Sequence, residues 1–414
     1  MRRFCLAGPR SLPIFLSLLW LLALAGVPPA AAQTTRRDLL VNERQQKAQN
    51  LRPYEPGRVE STLLWIEESR VIQRLFNPYE GPYLRFGGLT KGAGLATGAG
   101  YKQWLAGDRL LWDSFLVGSI RNYWYAGTGV TMPKLAGHRL EIGGNAYLRY
   151  WPRERYFGLG RDSLKGDRVG FLREGYELRG HVTARPQEPL RIGAFTAFRS
   201  ETIGEGHLPR YPSIEELFTD QTAPGLDRQA DYWTTGTFID LDYRDQPGNV
   251  RSGGHFRADY EYWRDQDGLG YTFRRIRGEA LHAFPIFDKK RVIVVRAIAE
   301  STGSPDGNQV PFFQMPTVGG STSLRGFTEF RFRDRNMMLF NTEYRWEAFS
   351  GLDMALFADW GDVAPTWDEL QLSRLKSSYG LGFRFNTFRA IFLRLDVGRS
   401  REGIRVTTSF NRPF

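Results

Sequence analysis

The residues best equipped for chemistry in this 414-residue chain are one arginine in a glycine-flanked stretch and two carboxylates downstream of it. Arg325 stands in Gly319-Gly320-Ser-Thr-Ser-Leu324-Arg325-Gly326-Phe327. Glu343 follows in Asn341-Thr-Glu343-Tyr-Arg345, and Asp359 in Phe357-Ala-Asp359-Trp-Gly361. A guanidinium is a planar fork of donors that matches carboxylates bidentately, so this set is suited to a clamp. Nucleophilic catalysis has no comparable set. His138, His181, His207, His255 and His282 form no Ser/His/Asp arrangement, and no Gly-x-Ser-x-Gly elbow is present. Metal-ligand spacing and phosphate-cradling glycine motifs are also missing. Tyr156-Phe157-Gly158-Leu159-Gly160 reads as loop packing. The expectation is therefore a non-enzymatic protein with no catalytic residues, cofactor or metal.

A clamp needs a scaffold to hold its two jaws. Arg2, Arg3 and Arg10, the apolar run Leu12–Val27 and Ala30-Ala31-Ala32 before Gln33 read as a signal peptide over residues 1–32. The only cysteine, Cys5, leaves with it, so the mature chain has no thiol chemistry and no disulfides. Net charge falls from +11 to +8 with the three signal arginines. Residues 33–82 form a periplasmic segment. It is polar, carries Pro53 and Pro56, and holds one short amphipathic helix over Thr62–Phe76, stopped at Asn77-Pro78.

From residue 83 to 414 the pattern changes to period two. Sixteen alternating segments run from Tyr83–Thr90 through Arg139–Trp151 to Ile404–Phe414, most about ten residues long or more, with no apolar run long enough for a membrane helix. The connections sort by parity. Those after even-numbered segments are mostly tight, as in Leu105-Ala-Gly-Asp108, Ser350-Gly351 and Phe388-Arg389. Several after odd-numbered ones are long: 152–168, 203–231, 303–335 and 364–376. A membrane barrel requires that asymmetry and a sandwich does not. The fold class expected is all-β: a 16-stranded antiparallel transmembrane barrel.

Facing follows from the same alternation. An arginine facing mid-bilayer lipid costs about 2–4 kcal/mol, which turns Arg384, Arg394 and Asp396 inward, with Phe392 among them by alternation. Met338, Phe340, Thr342, Tyr344 and Trp346 face lipid, so Glu343 faces the lumen; Asp359 does so on the next strand. Arg325, descending with the long extracellular loop, can bridge both and hold the loop in-folded. Gly326 would let the backbone turn sharply beside the wall, and Phe327 would pack on wall aromatics. The terminal Phe414, with Phe410 on its face, fits an interface girdle.

Gly319, Gly320, Arg325, Gly326, Phe327, Glu343, Phe357, Asp359, Gly361 and Phe414, in this order and spacing, resemble the bacterial surface antigen family. This is the outer-membrane assembly and translocation superfamily of BamA and TamA. The specific motifs lie between Gly319 and Phe414. The resemblance implies that Arg325 pairs with Glu343 and Asp359, and that Phe410 and Phe414 form a C-terminal signal. It implies a place in the bacterial outer membrane and a role in outer-membrane protein insertion, assembly or translocation. The partners it implies are outer-membrane lipids including lipopolysaccharide, unfolded client proteins and a homo-oligomer; no nucleic acid is expected, because arginines interleaved with aromatics at strand period make no single external basic face. Only about fifty residues separate Gln33 from Tyr83, too few for a POTRA domain, which points to a short family branch. Gly87, Gly88, Gly92 and Gly94 either weaken a seam between first and last strands or relieve crowding in a curved barrel. The alternative function is a passive pore or structural barrel with loop 303–335 as a plug.

Overall fold

Side chains that alternate between two environments make strands, and here the two environments are lipid and lumen. The structure, a computed structural model, describes residues 75–410 apart from Gly88, Lys91, Phe388 and Arg389. The signal peptide, the expected helix up to residue 74 and Phe414 lie outside the described residues. The barrel consists of β1 (Gly81–Phe86), β2 (Ala96–Leu105), β3 (Leu110–Ser119), β4 (Trp124–Leu135), β5 (Leu140–Tyr156), β6 (Val169–Gln187), β7 (Leu190–Glu205), β8 (Tyr232–Asp242), β9 (Gly253–Asp265), β10 (Phe273–Ile286) and β11 (Arg291–Gly303). A two-residue pair, β12 (Thr317–Val318) and β13 (Phe332–Arg333), lies within the long loop. The barrel resumes with β14 (Asn336–Phe349), β15 (Leu352–Ala364), β16 (Lys376–Asn386), β17 (Ile391–Ser400) and β18 (Gly403–Phe410). One 16-stranded sheet runs from β1 to β18 in sequence order, β11 pairing directly with β14. All sixteen expected strands are present and antiparallel.

Lipid-facing positions carry Leu116, Leu148, Leu178, Ile239 and Leu356, all exposed, with Trp124, Trp233, Trp360 and Tyr379 toward the long-loop end. In water such a surface would be a large apolar patch; in a bilayer it is the required one. The long-loop end holds its own apolar cores. Tyr156, Val169, Phe171, Ile203, Phe312 and Phe313 pack in one cluster, and Tyr232, Trp263, Tyr271, Phe273 and Met315 in another. Loop 304–335 thus docks on strand extensions above the membrane before it enters the lumen.

Three local readings are corrected by the structure. β1 ends at Phe86 rather than Thr90, because Gly87, Gly92 and Gly94 take φ of 69°, 83° and 79°, which no strand continues. β5 runs five residues past the expected end at Trp151, since a register shift between Trp151 and Glu154 accommodates Pro152 without a ladder donor. Phe392 faces out and Ile391 is buried, because a register shift lets Phe385 pair with Leu393 and Asn386 with Ile391, leaving Phe392 as the extra residue.

No hydrogen-bonded register joins β1 to β18 among the described residues. A cavity of about 340 Å³ lies between them, lined by Gly87, Leu89 and Gly92 on one side and Arg405–Phe410 on the other.

Candidate functional site

The loop enters the lumen through a tight turn. Gly319 and Gly320 have φ of 120° and 95°, in the region that favours glycine, and a Cβ on Gly319 would collide with the Thr328 carbonyl oxygen. The Gly319 N–H donates to Ser323 Oγ (2.8 Å), and the Gly320 N–H to the Leu324 and Phe327 carbonyls (3.1 and 3.2 Å). Leu324 and Phe327 are buried with Ile298, Val318, Phe332, Met337, Leu339 and Val363. Phe327 therefore packs edge-on against Phe332 of its own loop, at 5.4 Å, and on aliphatic wall residues rather than on the wall aromatics expected of it. Gly361 makes room at this point: a Cβ there would stand 3.1 Å from Leu339 Cδ1 and 3.5 Å from Leu324 Cδ2.

Gly326 is needed for closeness rather than for a turn. Its φ lies outside the left-handed region, but a Cβ would stand 2.8 Å from Ser378 Cβ and 2.9 Å from the Arg399 carbonyl carbon. Gly398 answers from β17, where a Cβ would meet the Arg325 carbonyl at 3.0 Å. Loop backbone and barrel backbone touch here, and that contact delivers Arg325 to the wall.

Arg325 Nη1 donates to Glu343 Oε2 (2.6 Å) and Nη2 to Asp359 Oδ1 (2.6 Å); Nε reaches Asp359 Oδ2 (3.0 Å), as does the Arg325 backbone N–H (3.1 Å). The guanidinium stacks on Phe357, with Cζ 3.6 Å from the ring centroid. Arg325 is 2% exposed and both carboxylates are 0% exposed, so protein groups must replace hydration entirely. Burial alone would lower the Arg325 pKa; Asp359 and Glu343 outweigh it and raise it.

The structure adds partners that the sequence reading placed in the lumen or merely quoted, without joining them to the site. Arg345 Nε (2.6 Å) and Arg384 Nη2 (2.8 Å) both donate to Glu343. Arg384 also pairs with Asp396 (2.6 Å), which accepts from Arg394 (2.9 Å). Asn341 and Ser378 donate to Asp359 at 2.8 and 3.1 Å. Same-face spacing two residues apart (343 and 345, 394 and 396) was the signal available for these. A second missed group ties the loop to the last strands. Glu329 accepts from Arg155 of β5 (2.7 Å) and Arg405 of β18 (2.6 Å), and Arg331 donates to Glu402 (2.7 Å). Burial would raise the Glu329 pKa, but the two guanidinium groups lower it.

Of the C-terminal pair only Phe410 is described; its Cβ stands 3.4 Å from where a Gly87 Cβ would lie. The histidines do not converge: His255 meets Asp240 (3.3 Å), His181 meets Glu141 (3.6 Å), and His282 meets Tyr243 (3.2 Å). No metal-holding group of three or more His, Cys, Asp or Glu occurs among the described residues.

A sixteen-stranded barrel with an apolar belt and a loop clamped into its lumen defines an outer-membrane barrel protein. The model of the Omp85 superfamily domain matches residues 114–400, and the chain belongs to that superfamily. It resides in the bacterial outer membrane, among barrels that at family level serve protein insertion or translocation. It is similar in structure to BamA from Haemophilus ducreyi lacking POTRA domains 1–3, at 14% identity and a TM-score of 0.61, over 80% of this chain and 70% of that one. That likeness shows the shared fold. It is also similar to CdiB from Acinetobacter baumannii (14% identity, TM-score 0.44, 79% of this chain and 58% of that one). CdiB from Escherichia coli matches at 12% identity and a TM-score of 0.47, over 79% of this chain and 61% of that one. No curated protein matches the sequence.

Proposed function

We propose that this barrel inserts or translocates client proteins by parting β1 from β18, while the Arg325 clamp holds the neighbouring β14–β17 wall together. The observation that supports it is the seam. Fifteen strand pairs of the sheet have a hydrogen-bonded register, and the junction of β1 with β18 has none among the described residues. Its partners on this reading are unfolded clients and the surrounding lipids, lipopolysaccharide among them. An open pore has less support, since the loop occupies the lumen with buried contacts instead of lining an open path; a structural barrel with the loop as plug shares that geometry and is separated from this reading by client insertion.

A disulfide lock tests the reading. The 3.4 Å between Phe410 Cβ and a Cβ built on Gly87 is near the disulfide range of about 3.5–4.5 Å. The pair Gly87→Cys and Phe410→Cys should cross-link on oxidation, abolish client insertion into proteoliposomes, and recover it on reduction. A locked barrel that inserts clients at the wild-type rate rejects lateral opening.

A further inference from the structure

We propose that the turn 243–252, between β8 and β9, is a floor seal that closes the short-turn mouth of the lumen from inside. The lumen then has two stoppers in series, the in-folded loop above and this turn below.

The turn is longer than its neighbours at the same end, such as the four-residue 287–290. Its shape is held internally. Asp245 accepts the backbone N–H groups of Gln246 (2.9 Å), Arg251 (3.0 Å) and Ser252 (3.1 Å), and the Lys289 ammonium (2.9 Å). Burial opposes the Asp245 charge, yet these donors prevail and hold its carboxyl at about 2.

The turn does not hang into the periplasm. Val250 is 1% exposed and packs on Leu281 and Ala283 of β10 and Val292 and Val294 of β11, all inward-facing. From there the chain crosses to another part of the wall. The Gly248 carbonyl accepts from the Ile391 N–H (2.8 Å), forming a parallel bridge with Ala390, and Asn249 Nδ2 donates to the Thr387 carbonyl (2.9 Å). Those residues are the β16–β17 connection and the first residue of β17, so the turn is a chord across the ring. Arg251 Nη2 then grips Asp353 of β15 through both carboxylate oxygens (2.7 and 2.9 Å), and Asp353 is 1% exposed.

Asp353 and Asp359 lie on the same face of one strand. Six residues separate them, roughly 20 Å at about 3.3 Å per residue. The upper stopper is anchored by Arg325 to Asp359 and the lower one by Arg251 to Asp353. Removing the loop therefore leaves the lumen closed from below. A turn that only tidied its own strands would need neither the β17 bridge nor an ion pair across the mouth, in which one Arg251 nitrogen is shared by both Asp353 oxygens.

Single-channel conductance of the refolded full chain in planar bilayers tests this with four proteins. They are the wild type, a loop variant (319–330 replaced by a Gly-Ser linker), a floor variant (246–250 replaced by two glycines) and the combination. Only the combination should show sustained large steps. A loop variant that conducts as well as the combination overturns the proposal, as does a conducting wild type. Heat-modifiable gel mobility establishes that each barrel is folded. Should the combination fail to fold, maleimide labelling of Val250→Cys, in a chain without Cys5, decides the matter. Adding Arg251→Ala should speed labelling about tenfold or more, because labelling follows the open population. Equal labelling with and without Arg251→Ala overturns the proposal.

Discussion

The β14–β17 wall and the β1–β18 seam belong to one sheet and are held by opposite means. On the wall, seven charged side chains are almost fully buried and joined by short ion pairs: Arg325, Glu343, Arg345, Asp359, Arg384, Arg394 and Asp396. At the seam, β1 has six residues, glycines with positive φ end it, and the remaining gap is a cavity. A buried charge network tolerates one arrangement only, since any displacement strands a charge in a medium that cannot solvate it. Strand edges without a ladder tolerate many. One part of the barrel is thus over-determined and another is held by fewer constraints, which is the arrangement that the proposed parting of β1 from β18 requires.

The largest expected effect breaks the wall. Arg325→Glu or Asp359→Arg alone should destabilise the barrel by about 3–5 kcal/mol, the cost of an orphaned buried charge. The double swap should recover much of it, read from the urea midpoint of heat-modifiable folding. Single variants that unfold like the wild type would remove the clamp from the account and leave the seam no different in kind.

An intermediate effect sharpens the seam. Glu329→Gln weakens the hold on Arg155 and Arg405 and should cost about 1–3 kcal/mol, with the change concentrated at β18 in hydrogen exchange. Acid should act likewise. The folded pKa of Glu329 is depressed, so its contribution is complete above the unfolded Glu value of about 4.3 and is lost as pH falls through the lower folded value. Spin labels across the seam should stay close between pH 7 and 5 and separate only in stronger acid. Separation already at pH 5 would mean another group holds β18.

The smallest effect is expected within the wall itself. Arg394 Nε and Nη1 meet no acceptor, and Asp396 keeps Arg384 without it. Arg394→Met should therefore cost about 1 kcal/mol or less, because the change removes the burial cost of an incompletely hydrogen-bonded guanidinium while Asp396 still keeps a cationic partner in Arg384. A loss equal to that of Arg325→Glu would show that the whole network acts as one unit.

Much of this was legible in the residues. The strand count followed from period-two alternation and loop parity, and the inward facing of Glu343 and Asp359 from their lipid-type neighbours, because facing is a local property of a strand. Phe392 escaped because one bulged residue inverts the alternation beyond it. The ends of β1 and β5 escaped because a Gly-Gly pair and a Pro each allow several local outcomes, and the neighbouring strand selects among them.

By itself the sequence determined the membrane-barrel class, the order and facing of the strands, and which arginine descends with the long loop. Only the tertiary structure decided which lumen residues meet: Arg384 with both Glu343 and Asp396, Glu329 with Arg155 and Arg405, Arg251 with Asp353. These pairs span up to 174 residues of chain. Their encounters depend on strand stagger and ring closure, which belong to the whole sheet and leave no trace in the spacing of any one segment.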